Sequence, residues 1–207
     1  MKNSIAHESL VIGNETLSVE FRAADNTTVF GFWMFLMTDF VLFASLFAVY
    51  AVLRGNTFGG PSGVNIFDAP YILTETILLL SSSFTCGLAM LSAHKNGKWY
   101  VVTMLGVTAL LGASFVSMEL SEFGRLIAGG AGWTTSGFLS SYFTLVGTHG
   151  LHVALGVVWM IILATSIVVR GLTRSNLRKL MLFSLFWHFL DIVWIFIFSI
   201  VYMMGIN

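Results

Sequence analysis

Five stretches of this chain are apolar for longer than a bilayer is thick, and that fixes the solvent it folds in. They run over 30–53, 71–93, 99–120, 139–169 and 180–204. A helix rises 1.5 Å per residue, so about 20 apolar residues cross the hydrocarbon core. The fourth is longer than it needs to be and must tilt or protrude. Only 10% of the 207 residues are charged, and the mean hydropathy is +0.87. A globule of this size has too little interior to hide so much apolar surface. The expected fold is therefore all-α, a polytopic membrane bundle of five transmembrane helices. Residues 1–29 read as a polar cytoplasmic tail and 30–207 as the membrane domain. The tail lacks the apolar stretch of a signal peptide. It is expected to be poorly ordered, or at best a short amphipathic segment over 10–21.

The basic residues orient the bundle. With the N-terminus inside, the inner segments hold Lys2, Arg22, Lys95, Lys98, Arg170, Arg174, Arg178 and Lys179, and the outer ones hold Arg54 and Arg125. Eight against two, using all ten, favours a cytoplasmic N-terminus and a periplasmic C-terminus. An odd helix count keeps that alternation intact. Trp33, Trp99 and Tyr100 fall at inner ends and Tyr50, Tyr71, Tyr142 and Tyr202 at outer ends, where amphipathic rings favour the headgroup level. Gly-rich chain with Pro61 over 54–69, and again over 129–137, reads as loops. Net charge is zero, and no basic patch of the kind nucleic acid would need is visible in the sequence. The single Cys86 excludes an internal disulfide.

Small residues recur four apart: Ser83 and Gly87, then Ala109, Ala113 and Ser117, then Gly150 and Ala154. Such faces let helices approach closely in lipid, and generic bundle packing is the favoured reading. No internal repeat of the kind found in inverted-repeat transporters is visible.

Ionisable groups inside the membrane are costly and must find a polar partner, face protein, or be neutral. Asp39, Glu75 and Asp191 lie within spans, and Glu119 and Glu122 sit at the outer end of the third. His149 and His152 share a helix face, being three apart, and His188 and Asp191 repeat the spacing. These histidines read either as metal or haem ligands or as an interhelical hydrogen-bonded network; the network is favoured. Three membrane histidines are too few for two haems and a histidine-bound copper, since His7 and His94 lie in polar segments. A two-cysteine copper centre is excluded by the lone Cys86. A single structural metal or one haem stays open. Asp39 reads as a proton-active or lipid-contacting carboxyl, or as an acid bonded to a neighbouring helix. Glu75 and Asp191 read as structural.

Several ordered motifs carry a resemblance. His149-Gly150-Leu151-His152-Val153 and Trp187-His188-Phe189-Leu190-Asp191-Ile192-Val193-Trp194 resemble the haem-copper oxidase subunit III family. Glu119-Leu120-Ser121-Glu122-Phe123 and Gly31-Phe32-Trp33 with Asp39, Leu42 and Phe43 fit it too. The likeness extends from Val29 to Gly205 and is to the five-helix form, which lacks the first two helices of the seven-helix type. The stretches 32–43, 59–63 and 66–70 are most similar to the cytochrome o ubiquinol oxidase branch. Asp39 stands where cytochrome c-type members carry a carbodiimide-reactive Glu.

The resemblance implies an accessory subunit without catalytic residues, metal or redox cofactor of its own, in the bacterial inner membrane. Subunit I would hold the haems and copper and be its main contact, with subunits II and IV nearby. The complex would oxidise ubiquinol, reduce dioxygen to water and move protons outward. The accessory chain would bind phospholipid and support assembly and sustained turnover. An aa-type menaquinol or cytochrome c oxidase is the alternative parent. From other classes, a small proton-coupled transporter built on Asp39 and the histidines, or a haem-binding cytochrome using His149 or His188, would also place ionisable groups in lipid.

Overall fold

The computed structural model describes residues 2–57, 68–93 and 97–203, with side chains from residue 27 onward except Ala69. Five long helices appear: α1 Lys2–Leu53, α2 Ala69–Ala93, α3 Lys98–Ala128, α4 Gly137–Arg170 and α5 Arg174–Ile197. α5 continues as a π-helical turn, Phe198–Met203. No strand occurs among the described residues. All five helices include a stretch long and apolar enough to cross a membrane. In lipid a helix satisfies its backbone internally, which is why apolar runs of this length take no other form.

The chain divides into two compact units, Met1–Phe40 and Val41–Asn207. The first unit is helical from Lys2, so the expected irregular tail is not what forms. No proline precedes Pro61, and extending a helix from an apolar span costs far less than nucleating one. Within this unit Thr38 Oγ1 donates to Met34 O at 2.7 Å, and the rings of Phe32 and Phe35 lie 5.9 Å apart. The amphipathic face expected over 10–21 and the basic side chains Lys2 and Arg22 lie outside the described side chains. Lys95, the motif at 59–63, positions 66 and 67 of the 66–70 motif, and residue 204 lie outside the described residues.

In the second unit α2 packs on α3, α3 on α4, α4 on α5, and α5 back on α2. The end of α1 after residue 41 lies against α4 and the end of α5. Phe43 meets His152 at 5.3 Å between ring centroids, Phe47 meets Phe196, and Tyr50 meets Phe138.

Helix ends follow local chemistry. Ser136 caps α4 by accepting from Leu139 N, and Thr173 caps α5 by accepting from Asn176 N. Gly171 ends α4 at φ +76°, a conformation that glycine adopts without strain. Asn176 then clasps the α4–α5 turn. Its amide donates to Gly171 O at 2.8 Å and its carbonyl accepts from Ser166 Oγ at 3.0 Å. At the same end Lys98 Nζ donates to Val168 O, closing an orphan carbonyl near the end of α4.

α3 and α4 contain 31 and 34 residues, about 46 and 51 Å at 1.5 Å each, well beyond a core of about 30 Å. The third span thus continues past 120 to Ala128, and Glu119 and Glu122 lie inside the helix.

The seam of the bundle is built on Trp187. A Cβ on Gly112 of α3 would stand 2.9 Å from its ring, and one on Gly156 of α4 would stand 2.8 Å away. The indole Nε1 donates to Ser82 Oγ of α2 at 3.0 Å. One side chain of α5 therefore fixes its distance to three neighbours.

Candidate functional site: a buried acid and histidine cluster

Seven residues after Trp187, Trp194 repeats the gesture: its Nε1 donates to Thr76 Oγ1 at 3.1 Å. Here the surroundings change. His149 of α4 stacks on Trp194, with centroids 5.3 Å apart and planes at 28°. Phe115 meets the imidazole edge-on at 5.9 Å and Phe43 at 6.3 Å. The ring is fully buried, and neither nitrogen has a protein hydrogen-bond partner.

Gly150, the next residue, faces Glu119. A Cβ there would stand 3.5 Å from Glu119 Cγ, an ordinary contact that places the acid between α3 and α4. Glu119 is 2% exposed and Glu75 of α2 is 0% exposed, and all four of their carboxyl oxygens lack a protein partner. Glu122, one turn on from Glu119, is 4% exposed and lies beside Tyr142, with Oε2 unbonded. The three acids lie close enough for each charge to act on the others.

Tyrosines close the end of this region. The hydroxyls of Tyr142 and Tyr202 lie 3.1 Å apart, and Tyr50 donates to Val201 O at 3.4 Å. Tyr71 donates to Met118 O at 2.7 Å, and the Arg125 guanidinium covers its ring at 4.3 Å. Tyr50, Tyr142 and Tyr202 are buried. They are not the headgroup belt expected of them, because their hydroxyls find protein acceptors inside the bundle. Trp99 and Tyr100 are exposed, as belt residues are.

The remaining ionisable groups separate. His152 is half-buried and its Nδ1 donates to Thr148 O at 2.7 Å, which assigns that tautomer. Asp191 is buried near Ser83 and Cys86 of α2. His188, three residues earlier, is exposed and does not join the cluster. Asp39 belongs to the first unit and is 8% exposed. Among the described residues, no group of three or more His, Cys, Asp or Glu side chains could hold a metal ion. The cluster offers carboxyl oxygens and imidazole nitrogens, atoms that bind protons and water.

The family model described as cytochrome c oxidase subunit III matches residues 2–206. The chain belongs to that family. It is thus a multi-pass membrane protein and a subunit of the haem-copper oxidases. The cytochrome bo(3) ubiquinol oxidase subunit 3 of Pseudomonas aeruginosa is 56% identical over 99% of both chains. The protein of the same name from Pseudomonas putida is 52% identical over 86% of each. A cytochrome c oxidase subunit 3 from Bacillus sp. strain PS3 is 45% identical over 84% of each. Membership gives the His149–His152 and Trp187–Trp194 motifs a structural meaning in this fold. Within them, Trp187 and Trp194 tie α5 to α2, and His149 packs α4 against Trp194.

The Glu119–Glu122 motif was legible as a pair of acids, and Glu75 as a third in a separate span. Their convergence was not. Nor were Thr76 and Ser82 as indole acceptors, or Gly112 and Gly156 as ring slots. A tryptophan seven residues after another on one helix, with small residues on its neighbours, is the signal that would have found them.

Proposed function

We propose that this subunit serves a proton-pumping ubiquinol oxidase of the cytochrome bo type, reducing dioxygen to water. The observation that carries the reading is the 56% identity to the Pseudomonas aeruginosa protein over 99% of both chains. In this reading the chain has no redox cofactor, and the haems and copper reside in subunit I. It packs against subunit I, with subunits II and IV in the same complex, in the bacterial inner membrane. Residues 1–29 face the cytoplasm and the C-terminus faces the periplasm. That orientation is supported by Lys98, Arg170, Arg174, Arg178 and Lys179 gathering at one end of the bundle, against Arg125 and Arg54 at the other.

Phospholipid binding belongs to the same proposal. A surface cavity of about 570 Å³ between α4 and α5 runs from Trp159, Ile162 and Leu163 to Arg170 and Lys179. Aliphatic and indole walls suit an acyl chain, and the two cations suit an anionic headgroup.

Affinity purification of the tagged chain from its native membrane tests the assignment. The expected result is co-purification of a haem-bearing subunit I with ubiquinol oxidase activity. Recovery of the folded chain with no oxidase subunit would refute it. The 45% identity to a cytochrome c oxidase subunit supports a second reading, in which the purified complex turns over with reduced cytochrome c and not with ubiquinol. Within the leading reading Asp39→Asn preserves assembly, because an amide matches the carboxyl in shape. Haem content per subunit after purification checks this; loss of the assembled complex contradicts it.

A further inference from the structure

We propose that Glu75, Glu119 and Glu122, together with the His149 imidazole, form a buried site that binds water and holds exchangeable protons. The site draws on three helices: Glu75 from α2, Glu119 and Glu122 from α3, and His149 from α4. Two observations independent of the acids' proximity point to a ligand. Glu75 and Glu119 are at least nine-tenths buried, with both oxygens of each unsatisfied by protein. His149 is also fully buried with both nitrogens unsatisfied. Its ring meets Phe115, one turn before Glu119, and stacks on Trp194, whose Nε1 donates to Thr76 beside Glu75.

Buried polar atoms without partners are rare in folded proteins, and ordered water is their commonest remedy. Three ionised carboxyls cannot be kept together away from bulk solvent, because each desolvation penalty is compounded by repulsion from the others. Carboxyls that keep protons can bond to one another and to water, which removes both penalties at once.

The charged and titratable groups around the site are few. α2 contributes Tyr71, α3 Arg125, α4 Tyr142 and His152, the π-helical turn Tyr202, and the segment before α2 contributes Asp68. Arg125 is the one cation among them, and it is exposed above the ring of Tyr71. The hydroxyls of Tyr202 and Tyr142, 3.1 Å apart, lie beside Glu122. The inference goes beyond the oxidase assignment: it concerns this chain's own chemistry, whatever electron donor the complex takes.

The test is infrared difference spectroscopy on the purified assembly, wild type against Glu75→Gln, Glu119→Gln and Glu122→Gln separately. Retained haem-bearing complex is the control for folding. The expected wild-type-minus-variant spectrum contains a protonated-carboxyl C=O band that moves to lower frequency after transfer to D2O. A difference spectrum with only ionised-carboxylate bands overturns the proposal, and so does a carboxyl band that D2O leaves unmoved. A second measurement needs no variant: a cryo-microscopy map of the wild-type assembly that resolves ordered water. Water density in hydrogen-bonding contact with at least two of the four side chains is expected. A dry site, with the side chains bonded only to protein, would overturn it.

Discussion

Trp187 and Trp194 occupy equivalent positions on α5, each donating its indole hydrogen to a hydroxyl of α2, yet the levels they define differ in kind. At Trp187 the ring is pressed between two glycines, Gly112 and Gly156, so close that a single methyl group on either would overlap it. At Trp194 the ring stacks on an imidazole, and its Nε1 reaches Thr76, the residue after the buried Glu75. One level holds the helices at fixed separation; the other holds polar atoms away from lipid. The comparison teaches that tightness and polarity are segregated along the bundle. Close backbone approach needs residues with nothing to add, and buried acids need room for their partners.

Removing the first level should do the most damage. Trp187→Ala empties the space among α2, α3 and α4 and is expected to destabilise the subunit by about 3–5 kcal/mol. Thermal or denaturant unfolding of the solubilised protein measures this; an unchanged midpoint would break the distinction between the levels. Next come Gly156→Ala and Gly112→Ala, where overpacking against a ring held on both sides is expected to cost about 1–3 kcal/mol each. The hydroxyl acceptors should matter less. Ser82→Ala and Thr76→Val each strand an indole N–H in the bundle, and interhelical bonds in membranes average about 0.6 kcal/mol. Equal losses at both sites, followed by the same unfolding assay, would mean the hydrogen bonds are alike although their levels are not. Smallest of all is Gly150→Ala, whose added Cβ meets Glu119 Cγ at 3.5 Å, an ordinary contact. Its expected effect lies within about 0.5 kcal/mol. A loss as large as that of Gly156→Ala would show that the acid level is packed as tightly as the other.

How far the sequence could be read follows from what lipid hides. The five spans and their order are written in hydropathy, because crossing a bilayer demands length and little else. The rotation of each helix is not. In water a polar face marks the outside of a helix, but in lipid both faces are apolar, and Leu151 exposed is chemically the same as Leu145 buried. So the small-residue pairs singled out by spacing included Gly150 but missed Gly112 and Gly156. His188 and Asp191, expected on one face, separate into exposed and buried. Tyr142 and Tyr202 sit near the end where tyrosines were expected, but they turn inward. The acids announced themselves singly, since each is an anomaly in an apolar run. That three of them meet depends on rotation about α2 and α3, and no local pattern records it.

The π-helical turn at Phe198–Met203 has a consequence for how this end of the bundle tolerates change. Trp187, Trp194 and Val201 recur every seven residues along one stripe, and an ordinary helix would carry Tyr202 off that stripe by roughly 100°. The widened turn takes up a surplus residue, so that Val201 and Tyr202 are both enclosed. The number of residues between Trp194 and Tyr202 is therefore a phase setting. Shortening it by one position would disconnect the tyrosine pair while leaving every side chain's identity untouched.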